Sequence, residues 1–247
     1  MQRLLTILLF SPIILFSQGS LIFSEYGEGT SFNKWIEIYN PTSQNISLDD
    51  YRYNFCWNGC DDLQWEFSIP FDSGVVLISG GTYLLVHFDA SSILLNAANQ
   101  TTNLLGNGND IAALYHISSN TIIDIIGVFD STEVSAGWDV DGILNATQDH
   151  TMLRTADVCT GNLGDWGASD GSYTSSEWIV GNIDDYNDIG GHNSNCINTS
   201  FSVQSLQPYD RHLIKVIDIF GIETKINNQI LFYIYNDGTV EKMHVIE

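Results

Sequence analysis

Lys34-Trp35-Ile36-Glu37-Ile38-Tyr39-Asn40-Pro41-Thr42 alternates its side chains with the period of a β-strand. Ile36 and Ile38 fall on one face, and Trp35, Glu37 and Tyr39 fall on the other. Pro41 ends the ladder, because it brings no backbone N–H and biases Asn40 away from helix. The stretch therefore reads as a half-buried strand running into a turn. Glu37 lies between two aromatic side chains. If it is buried it needs a partner, for which Arg52 and Arg154 are the candidates, so it is expected in a structural ion pair or hydrogen bond.

Outward from this strand, the sequence from Leu21 to about Ile197 is a series of short β-type runs broken by Gly, Asn, Asp and Ser. The runs are Leu21 to Glu25, Lys34 to Tyr39, Tyr51 to Phe55, Trp65 to Phe67, Val75 to Ile78, Thr82 to His87, Ile111 to Ile117, Thr121 to Phe129, His150 to Arg154 and Trp178 to Val180. Gly106-Asn107-Gly108-Asn109-Asp110 and Ser118-Ser119-Asn120 carry the residues that tolerate positive φ, which marks them as tight turns. One helix is expected over Ser91 to Asn99, capped by Ser91 or Ser92. This rhythm predicts an all-β sandwich or barrel.

The opening strand resembles that of the lamin tail domain, whose hallmark is an aromatic-Val/Ile-Glu-Leu/Ile-Tyr-Asn-Pro run. The resemblance continues in order through 80–86, 105–114 and 122–127, then Gly137-Trp138, Thr151-Met152-Leu153-Arg154, Asp165-Trp166 and Ser176-Glu177-Trp178. It implies an immunoglobulin-like antiparallel β-sandwich over 20–197. A long insertion from Cys56 to Phe71 and a second cysteine pair depart from the family pattern. Polar residues 198–210 read as a linker. The runs Leu213 to Gly221 and Leu231 to Lys242, with a hairpin turn at Asn236-Asp237-Gly238, resemble the C-terminal sorting tails of the Bacteroidetes type IX secretion system. Residues 211–247 are thus expected to form a small β-hairpin tail that the secretion machinery reads as an address.

Residues 1–19 have the form of a secretory signal peptide: Arg3, an apolar run from Leu4 to Phe16, and Ser17-Gln18-Gly19 as the cleavage site. That run is too short to span a bilayer, and no later run reaches the length of a transmembrane segment. An exported, surface or secreted chain is expected. Its net charge of −22 argues against binding nucleic acid through phosphate neutralisation and suits solubility in salt. Four cysteines in an oxidising compartment suggest two disulfides. Three connectivities are open, and the Asn-Gly turn inside Cys56-Trp57-Asn58-Gly59-Cys60 favours Cys56 with Cys60 and Cys159 with Cys196.

Catalytic spellings are sparse. Gly167-Ala168-Ser169-Asp170-Gly171, followed by Asp184 and His192, has the order of a hydrolase triad. It lacks the strand and helix that a nucleophile elbow requires. Histidines 87, 116, 150, 192, 212 and 244 form no zinc-type spacing. Asp149-His150 beside Arg154 is the most chemically suggestive cluster. On a strand, His150, Met152 and Arg154 share a face, so His150 is placed to meet Asp124 or Asp139 as a general base. The structural alternative is a turn bond that orients Arg154 in an ion pair.

Asp139-Val140-Asp141-Gly142 and Asp184-Asp185-Tyr186-Asn187-Asp188 with Asn193 are oxygen-rich fragments of the kind that hold structural calcium, but neither completes an EF-hand. The tryptophans 57, 65, 138, 166 and 178 are read as core, with a sugar-stacking platform as the alternative. The expectation is a non-catalytic module without cofactor that binds an extracellular polysaccharide or protein. A calcium-dependent carbohydrate-binding module and an exported hydrolase are the competing readings.

Overall fold

The computed structural model describes residues 21–130, 132–197, 212–224, 230–236 and 239–244. The signal-like segment 1–19 and the linker 198–210 lie outside the described residues. The strands of the first part are β1 (Ile22–Glu28), β2 (Lys34–Tyr39), β3 (Ile46–Ser47), β4 (Tyr51–Cys56), β5 (Phe67–Pro70), β6 (Val76–Leu77) and β7 (Thr82–His87). After helix α1 (Ser92–Ala97) come β8 (Gln100–Thr102), β9 (Ile111–His116), β10 (Thr121–Ile126), β11 (Thr151–Arg154) and β12 (Trp178–Val180). The C-terminal part carries β13 (Leu213–Ile217), β14 (Ile230–Tyr235) and β15 (Val240–His244).

Two sheets stack into an immunoglobulin-like β-sandwich: a larger one ordered β12-β11-β1-β2-β7-β8 and a smaller one ordered β10-β9-β4-β5. Phe23, Tyr26, Ile36, Ile38, Leu85 and Met152 of the larger sheet meet Tyr53, Phe55, Ala113, Leu114 and Ile125 of the smaller in one buried core. Period-two alternation on both sheets supplies these facing side chains. All pairs within the two sheets are antiparallel except β7 with β8, which run parallel with α1 as the crossover. That pair corrects the purely antiparallel expectation; a parallel neighbour needs a crossover connection, and α1 provides it.

β2 corrects a second expectation. It is buried along its whole length, because the outer face of its sheet is also covered. Trp35, Leu84 and Val86 pack under Leu94 of α1 and against Tyr186 and Ile189, while Ile22 and Tyr39 pack with Val158 and Ile197. The residues beyond β12 therefore roof a face that alternation alone assigned to solvent.

Several strand boundaries moved for identifiable reasons. β1 runs on past Glu25 through Gly27, where a Cβ would come within 2.3 Å of the Trp35 ring. β10 stops at Ile126 because Gly127, at φ 90°, turns the chain away. The Trp65–Phe67 run begins only at Phe67; its Pro70 is tolerated because β5 lies at the sheet edge. Both expected disulfides are present, Cys56–Cys60 and Cys159–Cys196.

The chain divides into two compact units between Asn198 and Thr199. In the second, β13, β14 and β15 form a three-stranded antiparallel sheet rather than a two-stranded hairpin. The extra strand arises because 231–242 splits into β14 and the start of β15, while 213–217 also pairs with β14. Asp237 and Gly238 of the expected turn lie outside the described residues.

Candidate functional site

Arg154, which the sequence placed beside a possible general base, is instead the centre of a buried tie between the sheets. It projects from β11, and its Nη1 donates to Asp124 Oδ2 of β10 at 3.0 Å, with both side chains fully buried. Nη2 donates to Glu177 Oε2 at 2.8 Å, and the guanidinium lies 4.5 Å from the centre of the Trp178 ring. Asp124 also accepts the backbone N–H groups of Phe23 (2.9 Å) and Asn162 (3.0 Å). A carboxylate with this many charge-assisted donors is spent on holding β1, β10, β11 and the 162 loop together.

Glu37 is fully buried, and neither of the expected partners, Arg52 and Arg154, pairs with it; it is held by hydrogen bonds instead. It accepts from Ser24 Oγ at 2.7 Å and from the Gly190 N–H at 2.7 Å. The distant Gly190 became its partner because the 183–192 segment folds back over β2. Its cross-strand neighbour is Glu25, whose Oε1 accepts from Trp35 Nε1 at 2.9 Å and whose Oε2 has no hydrogen-bond partner. Burial pushes Glu25 up to about 8 and Glu37 up to about 7, opposed by these donors; the charges of Glu37, Asp188 and Asp185 add to the rise at Glu25, and that of Asp188 to the rise at Glu37. The pair is a protonatable seam under the roof, and its surroundings are Asp185, Asp188 and the Trp35 indole.

His150 meets neither Asp124 nor Asp139. It precedes β11, and its Nδ1 pairs with the Gln148 carbonyl at 2.6 Å, the turn bond of the structural alternative. Asp149 and His150 line one open depression of about 500 Å³ together with Gly181 and Asn182. No hydrogen bond joins the two side chains. The Asp149 N–H is tied to Glu28 Oε2 at 2.7 Å, and Glu28 is also ion-paired with Lys34.

Ser169 of the Gly-x-Ser-x-Gly spelling is fully buried. Its Oγ donates to the Trp166 carbonyl and accepts from Asn162 Nδ2, so it is a loop strut. Asp184 clamps the 30–33 turn by accepting from Thr30 N, Thr30 Oγ1 and Asn33 Nδ2. His192 stacks edge-on against Tyr39. Asp139 accepts the Asn145 N–H at 2.8 Å. Among the described residues, no three His, Cys, Asp or Glu side chains are grouped in a metal-binding arrangement.

The tryptophans separate into three classes. Trp35, Trp138, Trp166 and Trp178 are buried. Trp57, expected in the core, is 46% exposed and edge-on to Phe55 and Phe67, because it sits in the turn of the short disulfide loop. Trp65 is half-buried and stacks on Phe129 at 4.3 Å between ring centroids, 27° from parallel. The pair forms part of the wall of an open groove of about 620 Å³ on the smaller sheet, with Ile122, Leu63 and Leu163 beside it.

The groove is built from three loops. Cys56–Cys60 closes the first, a 3₁₀ turn at Asp61–Leu63 carries Trp65 out of it, and the Cys60 N–H donates to the Asp130 carbonyl at 2.7 Å. That last bond fixes the Phe129 loop against the disulfide loop. The third loop is pinned by the Leu163 N–H on the Ile123 carbonyl at 3.1 Å. The sequence contained this platform only as the minority reading of its tryptophans, because nothing in the order of residues says that Phe129 will meet Trp65.

No curated protein and no solved structure matches the chain. β1 to β10 lie before residue 130, while β11 and β12, beyond it, complete the larger sheet. Residues 16–130, just under half of the chain, match the family model described as Lamin Tail Domain.

Proposed function

We propose that the chain is an exported, non-catalytic β-sandwich module, secreted or held at the outer cell surface, that works by presenting a binding surface to a partner outside the cell. One observation carries this reading. Arg154 and Asp124 are consumed in a buried bond between the sheets, Asp149 and His150 share a depression without a bond between their side chains, and the exposed groove is aromatic. An accessory role alongside exported enzymes fits a surface of that kind.

The signal-like residues 1–19 and the sorting-tail resemblance of 211–247 support export through type IX machinery. The separate compact fold of the second unit suits a segment that a receptor reads apart from the sandwich. Among the described residues no helix is long and apolar enough to cross a membrane.

Incubation of the purified chain with phosphodiester, phosphomonoester, ester and glycoside substrates tests the non-catalytic reading. No turnover above buffer is expected. Turnover that disappears in His150→Ala or Asp149→Asn would overturn it and move the function to the depression lined by those residues.

A further inference from the structure

The groove around Trp65 and Phe129 differs from the rest of the molecule in charge. The chain carries 30 Asp and Glu against 8 Lys and Arg, yet none of the residues lining this groove is charged. Its polar lining is limited to side-chain amides and hydroxyls: Gln64, Asn120, Thr121 and Tyr115. Tyr115 Oη donates to Asn120 Oδ1 at 2.6 Å, which fixes the amide and leaves its N–H₂ as the donating end. Beside these lie Trp65 and Phe129, whose rings stack face to face, and the aliphatic walls.

A ligand that suits this lining has apolar C–H faces to lie on an aromatic surface, hydroxyls to pair with amides, and no net charge. A charged polymer of either sign would find no counter-ion here, and an anionic one would be repelled by the surrounding acidic surface. A pyranose ring meets all three conditions. The groove is open, so a chain can enter and leave along it rather than being enclosed.

Backbone conformation adds a second, independent sign. Leu63 and Leu163, both largely exposed on the groove walls, hold φ of 54° and 55°. Bulky residues are rare in that region, and each costs about 1–2 kcal/mol there. Both leucines line the groove, and strain of this kind tends to be kept at contact sites.

We propose that this groove is a subsite for a neutral polysaccharide chain, packed against the side of the Trp65–Phe129 stack that the groove leaves open and hydrogen-bonded by Asn120 and Gln64. The proposal rests on the binding-module reading above and gives that surface a ligand class. No carboxylate lines the groove, so binding does not run through a bound cation.

Affinity electrophoresis of the full chain in gels containing soluble β-glucan, galactomannan, xylan or α-glucan tests it, with polygalacturonate as the anionic comparison and a proline-rich peptide in solution as competitor. Retardation by at least one neutral polymer, unchanged by EDTA, is expected. Trp65→Ala should weaken it about tenfold and Asn120→Ala several-fold, while Phe88→Ala, an exposed aromatic that does not line the groove, should bind as the parent does. Thermal melts of each variant separate loss of binding from loss of fold, and Trp65→Phe, which keeps a stacking ring, should retain part of the affinity.

No retardation by any neutral polymer, equal retardation by polygalacturonate, dependence on calcium, full competition by the peptide, or unaltered binding in a folded Trp65→Ala chain would overturn the proposal. Release of reducing ends from a retained polymer is a different failure: it would overturn the non-catalytic reading and leave the subsite standing.

Discussion

Arg154 and Asp124 belong to different sheets, are both fully buried, and meet at 3.0 Å across the sandwich. Removing one partner leaves the other charge uncompensated in the interior, at a cost of ~3–5 kcal/mol. Asp124→Ala is the worse change, since it also orphans the N–H groups of Phe23 and Asn162. Glu177, about a third exposed, can be solvated when its partner is altered. The expected order of destabilisation in urea unfolding is Asp124→Ala at least equal to Arg154→Met, with Glu177→Gln well below both. Equal, small effects for all three would show that the tie contributes nothing net.

The Glu25–Glu37 seam predicts an unusual pH dependence. Both carboxyls hold a proton more tightly when folded than the ordinary 4.5, near 8 and 7. Between those limits the folded state binds more protons, so stability falls as pH rises. The contribution is fully present below about 4.5 and lost as pH passes through 7 to 8. Carboxyls held below their ordinary values, Asp50 and Asp184, act in the opposite sense and are lost on the acid side. Melting temperature should therefore decline from pH 5 to pH 9, and Glu25→Gln should flatten that decline. An identical slope in the variant would remove Glu25 from the explanation.

The two disulfides close loops of different length, with sequence separations of 4 and 37. Chain-entropy reasoning gives about 2 kcal/mol for the short loop and ~4 kcal/mol for the long one. The long bridge also anchors the segment that places the Gly190 N–H on Glu37. Cys159→Ser with Cys196→Ser should lower the melting temperature more than Cys56→Ser with Cys60→Ser, and should speed hydrogen exchange across 183–196. The short bridge should matter more for polysaccharide retention, because it holds the loop that carries Trp65. Reversal of either ranking would contradict these assignments.

The fold was legible where local pattern decides structure. The run 34–39 has the alternation and the terminating proline of a strand, and Thr82–His87 and Trp178–Val180 stand where their patterns placed them. Strand pairs set by short turns followed, as with β9 and β10 around Ser118-Ser119-Asn120. Glu37 shows where local pattern stops. Its burial depends on residues about 150 positions later folding over β2, and no periodicity encodes that.

The site failed for the same reason. Asp149-His150 stands out in the sequence because its members are neighbours there, whereas Trp65 and Phe129 are brought together by the Cys60–Asp130 bond between separate loops. The parallel β7–β8 pair was likewise hidden, because three residues, Gln100–Thr102, are too few for alternation to register.

Leu163 offers a test that separates stability from function. It is 70% exposed and sits at φ 55°, so its side chain contributes little burial while its backbone is held where glycine is the favoured residue. Its N–H bond to Ile123 is made by the main chain and survives truncation. Leu163→Gly should then leave stability unchanged or raise it by up to about 1 kcal/mol, worth about 2–4 °C in a chain of this size. The same change removes one wall of the groove and should weaken retention by neutral polysaccharide. A variant that melts higher and binds less would mean that the strained leucine is kept for contact. If it melts lower and binds as before, the leucine is a packing residue and the groove ends at Trp65 and Phe129.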